Sequence, residues 1–260
     1  MRHSNTYIVG FAAAVCLACS VVVATSAVGL RSRQDANRVL DRQKKVLTVA
    51  GLISEGEKVD PQQVEELFKQ NIKAKVIDLA TGEIDPSADP EAFDQQKAIK
   101  DPNRSREAPA NRAGIRRIPN DALVYLVEPR DEVEKIILPI EGKGLWSTLY
   151  GFLALAPDTT TIDGIIFYQH GETPGLGGEV DNPSWKALWV GRQAYDEEWD
   201  PAIEVIKGAA GPPAEDPYEV DGLSGATLTS RGVSELVRFW LGDKGFGPYL
   251  EKFRAERSPA

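Results

Sequence analysis

Histidine and cysteine are scarce in this sequence of 260 residues. The chain contains only His3, His170, Cys16 and Cys19, and both cysteines lie in the apolar N-terminal segment. A multi-histidine metal site is therefore excluded, and so are a disulfide framework and a cysteine-ligated metal in the rest of the chain. We predict no metal site and no catalytic residue on this chain.

Positive charge is also in deficit, because 30 Lys and Arg residues face 39 Asp and Glu residues, for a formal net charge of -9. Such a chain has no basic face for a phosphate backbone, so we expect no nucleic acid partner. The motif GxxxxGK[ST] does not occur, and neither GKG nor GLGG has the spacing of a dinucleotide-binding loop. A nucleoside triphosphate site or a Rossmann-type nicotinamide site is therefore not supported.

Charged residues are missing from Tyr7 to Leu30. A membrane-spanning helix needs about 20 mostly apolar residues, so this segment has the length of an anchor. A cleaved signal peptide, processed near Ala24–Ala27, is the alternative, although its apolar region usually has only about 7 to 15 residues. A lipoprotein signal at Cys19 fits less well, because Cys16 stands where such signals carry leucine. We predict a retained anchor over residues 1–34.

The charges beside this segment do not decide its orientation. Arg2 precedes the segment, whereas several basic residues follow it: Arg31, Arg33, Arg38, Arg42, Lys44 and Lys45. A simple count of positive charges would place the C-terminal part in the cytoplasm, but large translocated domains often disregard such counts.

The rest of the chain shows both helix and strand patterns. Helices are predicted over 35–50 and from Asp60-Pro61 onward, where an N-cap precedes proline. Strands are predicted in AKVIDLATGEI, ALVYLVE, EKIILPI, TLYGFLALA, IDGIIFYQH, WKALWVGR and AIEVIKGAA. The proline-rich stretch 84–120 has few large apolar residues, so we expect a surface excursion there. Short turns between the strands favour a mainly antiparallel α+β domain with flanking helices.

The stretch VDGLSGATLTSRGV, residues 220–233, leads into the last long helix. The helix has an apolar stripe made of Val233, Leu236, Val237, Trp240 and Leu241, and Gly242 ends it. We expect Ser224 as its N-cap, Thr227 in the first turn, and Thr229 and Ser230 as further donors. Free N–H groups and small residues at such a start suit a bound phosphate. Plain capping explains the same residues.

The letters DGLSGATLTS resemble the flavinylation motif of covalent FMN-binding domains. In that family a flavin transferase joins the phosphate of FMN to the threonine of the motif through a phosphoester. The resemblance implies that FMN is attached to Thr227, with Ser224, Gly225 and Ala226 completing the motif. It also implies that Asp221 is a recognition element for the transferase and its metal; a turn residue beside Gly222 is the alternative.

The order of the motifs extends the resemblance over most of the chain. An anchor, the loop EGKGLW, the loop HGETPGLG and an SGAT helix follow one another as in the C subunits of sodium-translocating NADH:quinone reductases. The G subunits of Rnf complexes share the anchor, an ETPGLG-like loop and SGAT. The resemblance implies a flavin ring lined by Leu145, Trp146, Thr173 and Leu176, with Lys207 near its polar edge. Trp146 in the core and Lys207 on the plain surface are the alternatives, and we assign His170 and Glu172 to loop structure.

The resemblance also implies an activity and a setting. The chain would be an electron-transfer subunit of the bacterial inner membrane, with residues 35–120 carrying the proline-rich loop 86–119 and residues 121–260 forming the FMN-binding domain. It would take electrons from iron-holding membrane subunits and pass them to an FMN-bearing membrane subunit, while partner subunits bind NADH and quinone. The domain would face the periplasm. An Rnf-type G subunit and a non-redox anchored assembly module remain the alternatives.

Overall fold

The computed structural model describes residues 4–130 and 132–257, except for the side chain of Ser32. Helix α1 covers Asn5–Ala50, so the helix predicted over 35–50 is the end of a longer one. Its segment Asn5–Arg31 contains an 18-residue stretch with a mean hydropathy of 2.5. Among the described residues this is the one helix long and apolar enough to cross a membrane. The chain divides into two compact units, Met1–Gln43 and Lys44–Ala260.

The second unit is an α+β domain, as predicted. After α1 the elements are α2 (Pro61–Asn71), β1 (Ile72–Asp78), α3 (Gln95–Lys100), β2 (Ser105–Glu107), β3 (Arg117–Pro119), β4 (Asp121–Val127), β5 (Lys135–Lys143), β6 (Thr148–Leu155), β7 (Ile162–Gln169), the 3₁₀ turn Gly177–Asp181, α4 (Pro183–Ala187), β8 (Glu204–Val205), β9 (Glu219–Val220), α5 (Thr227–Leu241) and α6 (Gly247–Arg257). Helix α2 begins as expected, because the Asp60 side chain accepts a hydrogen bond from the Gln62 N–H.

Five strands form an antiparallel sheet in the order β1-β4-β5-β6-β7. All five coincide with predicted strands, those in AKVIDLATGEI, ALVYLVE, EKIILPI, TLYGFLALA and IDGIIFYQH. Strand β1 pairs with β4 along its whole length, from Ile72 opposite Val127 to Asp78 opposite Asp121. The segments 35–120 and 121–260 therefore share one sheet.

Side-chain alternation along β5 gives the sheet two faces. Ile136, Leu138 and Ile140 are buried in a core that also contains the apolar stripe of α5: Val233, Leu236, Val237, Trp240 and Leu241. Gly142 lies so close to this helix that a Cβ atom there would be 2.4 Å from the Leu236 Cβ. The end of β5 is therefore pressed against α5.

The opposite face of the sheet carries aromatic side chains. Phe68 of α2 meets Tyr125 of β4, and Tyr125 meets Phe152 of β6, with ring centroids 6.1 and 6.0 Å apart. Both contacts are edge-to-face, the arrangement that aromatic quadrupoles favour. The end of α1 packs against β7. A Cβ atom on Gly164 of β7 would contact the backbone oxygen of Val49 in α1.

The strand predicted in WKALWVGR is wrong, because this segment forms α4 and the turns after it. Asn182 caps the helix by accepting a hydrogen bond from the Ser184 N–H, and Pro183 occupies the first helical position. Trp185 and Trp189, four residues apart, are both buried with their rings 5.7 Å apart. A helical spacing of tryptophans was thus mistaken for a strand. AIEVIKGAA contributes only β8, paired in parallel with β9.

The proline-rich stretch 84–120 is not a mere surface excursion, and that expectation is wrong. It contains α3, β2 and β3, and its buried apolar side chains include Phe93, Ala98, Ala113, Ile115 and Ile118. The aspartates that suggested a solvated loop instead make local turns: the side chains of Asp85, Asp89 and Asp101 each accept an N–H from two residues onward.

Candidate functional site

Helix α5 begins differently from the sequence-based expectation. Its N-cap is Ala226, which has no side-chain cap, so the prediction of Ser224 as N-cap is wrong. The turn is closed by the backbone instead, since the Ala226 N–H donates to the Leu223 carbonyl at 3.0 Å. Gly225 supports this turn with a φ of 70°, a conformation that residues with a Cβ rarely adopt. Ser224 is left exposed beside the helix start.

Thr227 is the first residue of α5, and its side chain is exposed. Within the part of the chain that the structure describes, its hydroxyl has no hydrogen-bond partner, and the N–H groups of Thr227, Leu228 and Thr229 have no acceptor. These N–H groups lie at the positive end of the helix dipole. The helix start therefore offers a free hydroxyl and unpaired donors to an anionic group.

The other hydroxyl residues of this helix, Thr229, Ser230 and Ser234, are buried. The Thr229 hydroxyl donates to Glu172, so its expected role as a donor to a phosphate is wrong. The Ser230 Oγ accepts a hydrogen bond from the Leu223 N–H at 3.1 Å, and the Ser234 Oγ accepts one from the Val205 N–H at 2.8 Å. Both serines thus hold neighbouring backbone segments against α5.

Glu172 joins three segments at the helix start. Its Oε2 accepts hydrogen bonds from the Thr229 hydroxyl at 2.7 Å and from the Leu145 N–H at 3.2 Å. Its Oε1 accepts from the N–H groups of Trp146 and Ser147 at 3.0 and 3.1 Å. Burial acts to raise the pKa of the Glu172 carboxyl, but these hydrogen bonds outweigh it and hold the pKa below its usual value. The carboxylate is therefore ionised and structural, in agreement with its assignment to loop structure.

Two loops present exposed apolar side chains beside this carboxylate. Trp146 is 71% exposed, which excludes the alternative that it belongs to the core. Leu145 and Leu176 are 39% and 43% exposed. Thr173 is also exposed, and its carbonyl accepts the N–H of Leu176 at 3.1 Å, which closes the loop as a turn. These residues lie on the loops that Glu172 connects to α5.

A groove of about 730 Å³ lies on another side of the helix start. Its lining includes Thr227, Ser224, Lys207 and Asp221, and of the described residues that line it none comes from the loops 144–147 and 170–178. Lys207 is exposed at the end of β8. The first turn of α5 thus borders two features. One is the groove that Lys207 also lines, and the other is the pair of loops, 144–147 and 170–178, that carry the exposed apolar side chains.

Asp221 has a definite structural role in this groove. Its Oδ1 accepts a hydrogen bond from the Ala210 N–H at 2.9 Å, and its carbonyl accepts one from the Trp185 Nε1 at 2.8 Å. The following residue, Gly222, has no room for a side chain, because a Cβ would lie 2.3 Å from the Ile206 oxygen. Asp221 therefore holds the segment around Ala210 against the segment that precedes the SGAT turn, residues 224–227.

Comparison with known proteins places this site in a class. Residues 144–242 match the family model of the FMN-binding domain, and they run from the loop held by Glu172 to the C-cap of α5. The fold and the site thus define a domain of the FMN-binding class that follows an N-terminal helix able to span a membrane.

Close relatives narrow this class to one family. The chain is 50% identical to the C subunit of the Na(+)-translocating NADH-quinone reductase of Vibrio vulnificus YJ016 over 248 residues, 94% of each chain. It is 49% identical to the C subunit of the same reductase of Pseudomonas aeruginosa over 256 residues, 97% of each chain. The crystal structure of Shewanella oneidensis NqrC superposes with a TM-score of 0.78 at 35% identity, covering 85% of this chain and 99% of that one. The chain therefore belongs to the NqrC family, the C subunits of sodium-translocating NADH-quinone reductases, and the resemblance read from its motifs is confirmed.

Proposed function

We propose that Thr227 carries FMN through a phosphoester and that this flavin relays electrons. The observation that carries the proposal is the free, exposed hydroxyl at the first position of α5, within a segment that matches the FMN-binding domain. The unpaired N–H groups of this turn would hold the remaining charge of the phosphodiester. Gly225 and Ala226 add no bulky side chain to this turn, and Ser224 lies exposed beside it.

The surrounding residues suit a flavin that stays partly open to solvent. The apolar surfaces of Leu145, Trp146 and Leu176, with Thr173 beside them, would cover the ring and exclude water from it. Lys207 would bring a positive charge toward its polar edge and favour a reduced, anionic form. The bound FMN would supply electron-transfer chemistry, whose potential such neighbours tune.

The relatives' names support a place for the chain in a multi-subunit reductase. In this proposal residues 1–34 anchor the chain in the bacterial inner membrane by a single pass, and residues 121–260 carry the flavin. Electrons arrive from iron-holding membrane subunits and leave to an FMN-bearing membrane subunit. Partner subunits bind NADH and quinone, and their reaction is coupled to sodium export. This chain has no complete active site of its own for either substrate.

The proposal also concerns maturation and orientation. A flavin transferase acting in the periplasm would recognise Asp221 and attach FMN, so the domain would face the periplasm. In spheroplasts, a protease added outside should then digest residues 44–260 and leave the anchor. Protection of this domain in intact spheroplasts, with digestion after lysis, would contradict the orientation without affecting the attachment.

Attachment is tested on the full chain co-expressed with the transferase. Flavin fluorescence should comigrate with the chain in denaturing electrophoresis, and intact mass should show one FMN adduct. Thr227→Ala should lose both signals. Ser184→Ala is the matched control, because Ser184 is another exposed hydroxyl in the first turn of a helix, α4, and it should keep them. A wild-type chain without the adduct would refute the proposal.

A further inference from the structure

We infer that Glu172 is a positioning residue for the flavin, an inference that rests on the proposed attachment at Thr227. The Glu172 residue is only 5% exposed. Its carboxylate accepts three successive backbone N–H groups, those of residues 145–147, and the hydroxyl of Thr229. It thereby joins the turn that bears Leu145 and Trp146 to the first turn of the helix that begins at Thr227.

Two glycines leave a space that the Glu172 carboxylate and the Thr229 hydroxyl fill. A Cβ atom on Gly144 would lie 2.6 Å from the Glu172 Oε1, and one on Gly177 would lie 2.9 Å from Oε2. The Cβ on Gly177 would also lie 2.6 Å from the Thr229 Oγ1. Glycine at both positions therefore lets the two loops close around the carboxylate and the threonine hydroxyl.

The N–H groups at the tip of the turn are held by Glu172, whereas the base of the turn is held by other contacts. Trp146 and Leu145 are exposed, so little packing fixes their side chains and their backbone sets where they point. At the base, the Lys143 N–H donates to the Ala113 carbonyl at 2.8 Å. The Lys143 oxygen also touches α5, since it lies 2.4 Å from the position of a Cβ on Gly232. Loss of the carboxylate should free the N–H groups of residues 145–147, while the bond from the Gly144 N–H to the Ser147 carbonyl and the base of the turn remain.

A carboxylate suits this role better than an amide. Five donors converge on it, since the Ser147 hydroxyl also donates to Oε1 at 3.4 Å, and its two oxygens accept all of them. Glutamine has nearly the same volume but only one accepting oxygen, and its amino group would face N–H donors. Glu172→Gln therefore disrupts the hydrogen bonds to the carboxylate with little change in packing. Thr229→Val removes one donor to Glu172, and Thr229→Ser keeps that donor.

The first test uses hydrogen exchange on the full chain. In Glu172→Gln the amides of residues 145–147 should exchange faster than in the wild type, whereas the buried β6 amide of Leu149 should not change. The matched control is Glu179→Gln, a glutamate of the following 3₁₀ turn whose carboxylate, among the residues that the structure describes, accepts only from the Asn182 side chain. This control should leave the exchange of residues 145–147 unchanged.

The second test uses the flavin itself, in chains co-expressed with the transferase. Glu172→Gln should keep the FMN adduct by mass, because the acceptor hydroxyl and Asp221 are untouched. It should lose most of the induced circular dichroism of the flavin and shift its midpoint potential, since the side chains of the turn would no longer hold a fixed position over the ring. Thr229→Val should do the same more weakly, and Thr229→Ser should recover the wild-type signal.

The outcomes separate this inference from the proposed function. A wild-type chain without FMN would refute the attachment at Thr227. A wild-type chain with FMN, combined with Glu172→Gln and Thr229→Val variants whose flavin dichroism, potential and amide exchange are unchanged, would refute the positioning role alone. If Glu172→Gln does not fold, the Thr229 pair decides: equal flavin signals in the valine and serine variants would overturn the inference.

Discussion

Gly225 lies directly against Leu176, so that a Cβ atom on the glycine would be 2.9 Å from the leucine Cδ2. The two residues come from different motifs, the SGAT turn and the ETPGLG loop, which are far apart in the sequence. Their contact, together with the Glu172–Thr229 hydrogen bond, makes the two motifs one structural unit. Substitutions in either motif should therefore affect the other.

Gly225→Ala should destabilise the domain for two separable reasons. The φ of 70° at Gly225 should cost about 1 to 2 kcal/mol with alanine. The new Cβ would also displace Leu176. Gly175→Ala is the matched control, because Gly175 has a φ of 76° but open space at the position of its Cβ. Urea unfolding should show a larger loss of unfolding free energy for Gly225→Ala than for the control.

A double variant isolates the contact with Leu176. Leu176→Ala should remove the obstacle, so adding Gly225→Ala to it should cost no more than Gly175→Ala does. If Gly225→Ala and Gly175→Ala lose the same unfolding free energy in the wild-type background, the Leu176 side chain moves aside at no cost and only the backbone conformation matters.

Gly232→Ala reverses a common expectation for helices. Alanine in place of glycine inside a helix usually stabilises by about 1 kcal/mol. Here the Cβ would lie 2.4 Å from the Lys143 carbonyl oxygen, a backbone atom that cannot swing away. We expect a loss of about 1 to 3 kcal/mol in unfolding free energy. Increased stability would mean that the loop after β5 is not pressed against α5.

The helix that follows the SGAT motif could be predicted from the sequence, but the tertiary contacts that hold its first turn could not. The stripe of α5, its end at Gly242 and the position of Thr227 in the first turn follow from local patterns. Thr229 resembles its exposed neighbours by type, and only the distant Glu172 shows that it points inward. The strand predicted around Trp185 and Trp189 was wrong for a related reason. A short apolar stretch fits a strand as well as a helix when its tertiary contacts are unknown.

Asp221→Asn should separate the structural role of Asp221 from its proposed role in recognition. The asparagine Oδ1 can still accept the Ala210 N–H, so the thermal unfolding midpoint should change little. If the transferase and its metal require the negative charge, the yield of FMN adduct should fall strongly. The measurement is the adduct fraction by intact mass, with Asp216→Asn, a carboxylate that accepts from the Gly211 N–H, as the control. Equal adduct yields in both variants would contradict recognition through the charge of Asp221.

The carboxyl of Glu141 should make the stability of the domain depend on pH. Glu141 lies on β5 opposite Tyr150, and burial raises its pKa from 4.5 to about 7, although Lys100 acts in the opposite direction. The folded state thus favours the protonated acid more than the unfolded state does. As pH rises from the unfolded pKa toward the folded one, the unfolded chain releases this proton first, and the folded state loses stability.

Glu141→Gln removes this ionisation from both states. Between about pH 5 and about pH 8, the wild type should lose about 2 kcal/mol of unfolding free energy relative to the variant. Chemical unfolding at several pH values measures the difference, and Glu134→Gln, an exposed glutamate just before β5, should show no such trend. Parallel pH profiles for the wild type and Glu141→Gln would mean that the Glu141 carboxyl ionises as readily in the folded domain as in the unfolded chain. Because a pKa near 7 puts the transition within the neutral range, the loss of stability should be measurable without acid or strong base.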